Sequence, residues 1–388
     1  MRRFAARFSG MSFALLLAVL AAGCAGSGSS SGGRSGTPPS TPTTSQTSAG
    51  PSPSRPAAAT PTERRGPPKV IGTIADHLAV PWGLGFLPDG SALVTERDSG
   101  RVLHIVGKKV TLAGRLVATT YDGGESGLLG LAVSPTYARD HQIFLYASTP
   151  RDNRVLRATY ANGRLGTPTP ILTGIPQGFR HDGGRLAFGP HGYLYVSTGE
   201  TGQDSLAQDR GSLAGKILRI TPSGKPAPGN PDASSPVWTL GHRNVQGLAF
   251  DGDGNLWASE FGDHTWDELN LIERGGNYGW PLVEGRGSSS RFHDPQVVWP
   301  TSEASPSGLA FLDGHLWLAS LRGERLWRVA VDGRHASNPV AFLVGKYGRM
   351  RTVAVAPDGN LWVTTSNRDG RGDPKAIDDR ILLVSPGS

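Results

Sequence analysis

Short apolar runs joined by turns rich in glycine, aspartate and proline make up most of the chain. Residues 248–250 (LAF) and 256–259 (LWAS) flank the turn DGDGN at 251–255, and two extended segments around so tight a connection read as a β-hairpin. The pattern recurs as GLGFLPDGSALVTE from Gly83, GLAVSPTYARDHQIFLYAS from Gly130, RLAFGPHGYLYVSTGE from Arg185, GLAFDGDGNLWASE from Gly247, GLAFLDGHLWLAS from Gly308 and TVAVAPDGNLWVTT from Thr352. With Phe86, Val133, Phe188, Phe250, Phe311 and Val355 taken as equivalent, the copies lie 47, 55, 62, 61 and 44 residues apart. No interval between them carries a sustained helical period.

Those intervals fit four-stranded blades with loops of variable length, so the predicted fold is all-β, a six-bladed β-propeller. A single blade has one uncovered face; six in a ring cover one another and leave no long free edge. The strand-like runs at 70–75 and 380–385 are expected to pair and close the ring. Trp257, Trp317, Trp362 and Tyr195 fall at one equivalent place in four copies, which assigns them to blade packing.

Composition changes ahead of the first hairpin. Residues 1–23 have a basic start (Arg2, Arg3, Arg7), an apolar core from Met11 to Ala22 and small residues leading to Cys24, the pattern of an export signal. LAAGC looks like a lipobox, so Cys24, the only cysteine, is expected to be lipidated and to become the mature N-terminus. Residues 24–68 are mostly Ser, Gly, Thr, Pro and Ala; they cannot bury enough apolar surface to offset ordering and are expected to form a disordered tether. The propeller domain is then 69–388. The expected location is the outer face of the plasma membrane, with contact to the bilayer through the lipid anchor only. The net charge of +7 is spread along the chain without a lysine-rich run, and export removes the protein from the cytoplasm, so no nucleic-acid partner is expected.

Several loop residues exceed what packing needs. His181, in GFRHDGG just before a strand, is suited to accept a proton near neutral pH. Arg243 and Asn244, in GHRNVQG, offer a fixed cation and an amide for a carbonyl or carboxylate. Arg349 and Arg351 alternate with Met350 and have no acidic neighbour in sequence, which points to an anionic ligand; Arg322 is a third cation of that kind. Asp263, Asp267 and Glu268 are hard oxygen donors beside a glycine-containing turn, suited to calcium.

Together these fragments resemble the soluble PQQ-dependent sugar dehydrogenase family, the six-bladed propellers that include soluble glucose dehydrogenase and soluble aldose sugar dehydrogenases. The resemblance spans roughly 79–384 and is carried by GLLGLA at Gly127, RH..GRLAFG, GKILRI at Gly215, LGHRN.QGLAF at Leu240 and DELNLIE.GGNYGWP from Asp267. It implies oxidation of an aldose at its anomeric carbon to a lactone, with hydride passing to PQQ and His181 as the base. It further implies that Arg243 lies beside the reacting quinone carbonyl, and that Asn244, Trp299, Thr301, Arg322, Arg349 and Arg351 bind the cofactor. Gly262 and Asp263 match the carbonyl donors to an activating Ca²⁺, and Glu268 with the carbonyl of Tyr278 matches a second, structural calcium site. Glu125 and Asp267 are expected to face the substrate.

The chain departs from the glucose-oxidising members at Glu125, where they have glutamine, at Arg180, where they have aspartate, and at Val245, where proline is usual. Shorter loops imply a more open site that accepts varied aldoses, and the electron acceptor is not specified. Two other readings compete with the dehydrogenase. A calcium-dependent lactonase-type hydrolase would need metal ligands from several blades but no arginine cluster. A non-catalytic cell-surface binding propeller would keep the fold without turnover.

Overall fold

A computed structural model describes residues 66–117, 119 and 123–387. The signal segment, Cys24 and the tether up to residue 65 lie outside the described residues. Six antiparallel sheets follow one another along the chain. Blades one to five occupy 81–115, 128–175, 186–240, 245–300 and 306–342. The sixth combines Met350–Val355, Leu361–Thr365 and Ile381–Ser385 with Lys69–Ala75 from the start of the domain. Lys69 pairs with Ser385 and Ala75 with Ile381, which is the predicted closure. The innermost strands, such as Pro81–Phe86 and Val245–Phe250, touch their neighbours in cyclic order, and that of blade six returns to that of blade one. The long turn of the second copy winds into one helical turn, Tyr137–Asp140, which takes up the extra residues that YARDH adds.

The repeat explains the core. In every hairpin a bulky residue of the second strand stands opposite a small one of the first: Leu93 opposite Gly85, Phe144 opposite Ala132, Tyr195 opposite Ala187, Trp257 opposite Ala249, Trp317 opposite Ala310, and Trp362 opposite Ala354. Each bulky residue then packs against the apolar residue at the equivalent position of the next blade. Phe144 meets Phe188 edge-on at 5.1 Å, Tyr195 meets Phe250 at 5.2 Å, and Trp362 meets Phe86 of blade one at 4.9 Å. Leu93 with Val133, Trp257 with Phe311 and Trp317 with Val355 share core clusters in the same way. The core is therefore six wedges between blades. Trp317 is fully buried. Its replacement by alanine is expected to cost about 3–5 kcal/mol, read as a lower urea midpoint at unchanged slope.

The topology also decides where side chains can gather. In each blade the innermost strand starts, and the second strand ends, at the same face. Five of the six innermost strands carry a register shift near that start, for example between Val245 and Gly247 and between Met350 and Val353. Bulges of this kind turn side chains out of the ladder, so they release residues toward that face.

Candidate active site

A cavity of about 440 Å³ opens at this face. Its wall is built from segments that enter an innermost strand (Glu125, Arg180 and His181, Arg243, Ser305, Arg349) or leave a second strand (Gly262 and Asp263, Arg322, Arg371), with Asp267 and Thr301 between. Residues far apart in sequence meet here because every blade delivers the same two loops to one place.

His181 sits in the left-handed region at φ 60°, in a bend that brings its carbonyl against Gly199. A side chain on Gly199 would collide with that carbonyl oxygen. The imidazole is buried, and Nδ1 pairs with Oε1 of the fully buried Glu200, whose other oxygen has no hydrogen-bond partner. A carboxylate can only accept, so Nδ1 carries a proton, and in the neutral imidazole Nε2 is the basic nitrogen. Among the described residues no hydrogen bond engages Nε2. The main-chain N–H of His181 donates to Oε2 of Glu125 (3.0 Å), whose Oε1 accepts from Arg371 Nη1 (2.9 Å). Burial pushes the Glu125 carboxyl up, but His181 and Arg371 outweigh it and hold the group below the usual range, as an anion.

Asn244 is fully buried beneath this pair, donating to Glu125 Oε2 (3.3 Å) and accepting from the Gly183 N–H (3.0 Å). Arg243 donates through Nη1 to the Gly262 carbonyl and through Nη2 to Asp263 Oδ1 (2.6 Å). One oxygen of Glu284 accepts the N–H groups of Asp263, His264, Thr265 and Trp266 at 2.7–3.1 Å, which fixes this loop. Asp267 accepts from the Gly262 and Ser305 N–H groups; burial pushes its carboxyl up to about 6, and these two bonds act against the rise.

The arginine pair differs from its sequence reading. Arg349 and Arg351 do converge, but on an acid: Nε of Arg349 (2.9 Å) and Nη2 of Arg351 (3.2 Å) both donate to Asp369 Oδ2, from the loop after the next strand. Burial raises the Asp369 carboxyl, yet the two guanidinium groups outweigh it and keep it below the ordinary range. Arg349 lines the cavity, whereas Arg351 lines a narrow cleft adjoining it with Arg97 and Asp369. Arg322 reaches the cavity with no carboxylate partner among the described residues.

Of the sequence-derived residues, Glu125, His181, Arg243, Gly262, Asp263, Asp267, Thr301, Arg322 and Arg349 are brought together in the cavity. Trp299 is not; it packs against Trp327 between blades four and five, ring centres 5.5 Å apart. Glu268 and Tyr278 are also outside the lining. Glu268 accepts from the Gly285 N–H (2.7 Å) and Asn270 Nδ2 (3.0 Å) and stands opposite Glu260 in the ladder; burial first, then Glu260, pushes its carboxyl up to about 8. The Tyr278 ring is stacked between His242 and His293.

Sequence reading missed Glu200, Asp369, Arg371 and Glu284. One signal for Glu200 was present. Glu96 and Glu260 end, and Glu200 follows, the second strand of a hairpin copy, at the cavity face, and all three are buried. Glu96 and Glu260 tie down the entering loops through the Ala79 and Arg243 N–H groups; Glu260 also pairs with the buried His242 imidazole (2.8 Å), and Glu200 pairs with that of His181, which lines the cavity.

Residues 78–381 match the glucose/sorbosone dehydrogenase family. The PQQ-bound aldose sugar dehydrogenase of Streptomyces coelicolor is 52% identical and superposes with a TM-score of 0.80, covering 82% of this chain and 97% of that one. Aldose sugar dehydrogenase YliI of Escherichia coli is 30% identical over 353 residues, covering 81% and 92% of the two chains. Quinoprotein glucose dehydrogenase B of Acinetobacter calcoaceticus is 32% identical over 249 residues, covering 55% and 52%. By fold and sequence, this chain belongs to the glucose/sorbosone dehydrogenase family.

Proposed function

We propose that the chain is a PQQ-dependent aldose dehydrogenase that oxidises the anomeric carbon to a lactone. The observation that carries this reading is a single cavity walled by Arg243, Arg322 and Arg349, with a carboxylate-oriented histidine beside them. A flat tricarboxylate fits that donor set: Arg322 has no acidic partner among the described residues, Arg349 shares one carboxylate with Arg351, and the volume lies within the usual range for a ligand pocket. PQQ, when bound, supplies the two-electron acceptor; the protein supplies position, charge and a proton path.

Arg322 and Arg349 hold cofactor carboxylates, and Arg351 supports Arg349 through Asp369. Arg243 presents a guanidinium where negative charge develops, steadied by Gly262 and Asp263. His181 Nε2 takes the proton of the anomeric hydroxyl, and the Glu200 carboxylate stabilises the imidazolium that results. Asn244 acts one layer back, through Glu125. Thr301, Glu125 and Asp267 complete the wall on which cofactor and sugar rest.

Calcium belongs to the same proposal. Gly262 and Asp263 line the cavity beside Arg243, which donates to both, and an ion there would take oxygens of these two residues in exchange for that guanidinium, with its remaining ligands from the cofactor and water. Glu268 with the Tyr278 carbonyl would hold a second ion, which would relieve the repulsion between Glu260 and Glu268. Trp299 contributes by packing the blade that carries Thr301. Export and anchoring through Cys24 rest on residues 1–24 alone.

Reconstitution tests the reading. Purified protein given PQQ and Ca²⁺ is expected to reduce an artificial dye in the presence of aldoses. Absence of PQQ binding and of dye reduction across a panel of aldoses would remove it.

A further inference from the structure

We propose that the site selects aldoses bearing an anionic group at the end of the sugar remote from C1, and that Arg180 is the residue that reads this group. The inference rests on the dehydrogenase reading above and adds the substrate class to it.

Most guanidinium groups of the cavity can be paired off with a carboxylate; the remaining acid, Asp267, is held by the Gly262 and Ser305 N–H groups. Arg243 is matched by Asp263, Arg371 by Glu125 and Arg349 by Asp369. Among the described residues of the wall, Arg180 and Arg322 remain without a carboxylate. Arg322, from blade five, stands next in the ring to Arg349 of blade six, on the side assigned to the cofactor acids. Arg180 belongs to the entry of blade three, opposite blade six, and directly precedes His181. It is therefore on the side where the sugar must lie for its anomeric hydroxyl to reach Nε2.

Its placement is defined. The Arg180 Nε lies 3.3 Å from where a Cβ on Gly202 would be, so the side chain rests over this glycine, in the turn that follows Glu200. Gly202 has φ 82° and no side chain to push the arginine away. The same turn thus orders the base and seats the cation. With His181 assigned to C1, Arg180, the longer side chain beside it in the same wall, is assigned to a group across the ring. A guanidinium offers two parallel N–H donors, which match a carboxylate or a phosphate and give little to a neutral hydroxymethyl group. The reaction itself is unchanged: the aldose loses a hydride and a proton from its anomeric centre and becomes a lactone, while the acid group is a spectator. A hexuronate and a hexose 6-phosphate present the same chemistry, and direct comparison separates them.

The test is kcat/KM of the PQQ- and calcium-loaded protein for glucuronate, glucose 6-phosphate and glucose. At least one of the two anions is expected to exceed glucose by tenfold or more at low salt, and to lose that advantage as NaCl is raised. Arg180→Ala should lower the anion-to-glucose ratio tenfold or more, Arg180→Glu should invert it, and Arg180→Lys should restore part of it. Arg180 is exposed, so these variants are expected to fold. Glucose oxidised as well as both anions, or a ratio and salt response unmoved in Arg180→Ala, overturns this inference and leaves the dehydrogenase standing. Weaker PQQ binding by Arg180→Ala with an unchanged ratio overturns it too, by making Arg180 a cofactor residue. No oxidation of any sugar removes both.

Discussion

His181→Ala is expected to lower kcat of the PQQ-loaded protein by about 10³-fold while PQQ still binds. General-base catalysis contributes roughly 10²–10⁴-fold, and His181 is a cavity side chain whose Nε2 has no hydrogen-bond partner among the described residues while Nδ1 is held by Glu200. The cofactor cations are separate residues, so affinity should move little. Glu200→Gln is the informative companion. An amide in place of the carboxylate can donate to Nδ1 and so favour the tautomer with the proton on Nε2, which cannot act as a base. A loss of roughly 10²-fold or more is expected, with PQQ affinity again retained. Single-turnover rates measured with dye in excess read both. Full activity in His181→Ala would exclude it as the base.

Arg322→Ala and Arg349→Ala should each weaken PQQ binding by about 10- to 100-fold. A hydrogen bond to a charged group is worth about 1.5–3 kcal/mol, and about 1.4 kcal/mol corresponds to tenfold in Kd. The two variants differ in side effects. Arg322 is exposed and has no carboxylate partner among the described residues, so its loss should leave the urea midpoint unchanged. Arg349 is buried against Asp369, and its removal takes one of two ion pairs from that buried carboxylate, so a lower midpoint is expected. Titration of PQQ into the apoprotein, followed by fluorescence, separates affinity from stability. Unchanged affinity in both variants would show that the cofactor is held elsewhere or not at all.

The fold was legible because it is written six times. A hairpin of alternating apolar positions with a turn of Gly, Asp or Pro is a local signal, and repetition turned six weak signals into one architecture. Even the partner of the first strand could be found, since 70–75 and 380–385 were the strand-like runs left unpaired. The chemistry was legible only in part. His181, Arg243 and Arg349 stood out as polar residues at strand entries, where packing does not ask for them. Their partners did not, because Glu200 follows a strand of the same blade 19 residues later and Asp369 lies 20 residues beyond Arg349; only the folded hairpin of each blade brings them together. The missing acidic neighbour of the arginine pair was therefore a property of the linear chain and not of the folded one. Trp299 shows the converse: an aromatic residue beside a loop motif, placed by the fold in the wedge between two blades.

The account depends on PQQ lying in the cavity at the loop-bearing face. A crystal structure of the domain with PQQ and calcium tests this most directly. The account predicts cofactor carboxylates on Arg322 and Arg349 and the His181 Nε2 open toward the remaining space. PQQ found at another surface, with these guanidinium groups and His181 untouched, would contradict it.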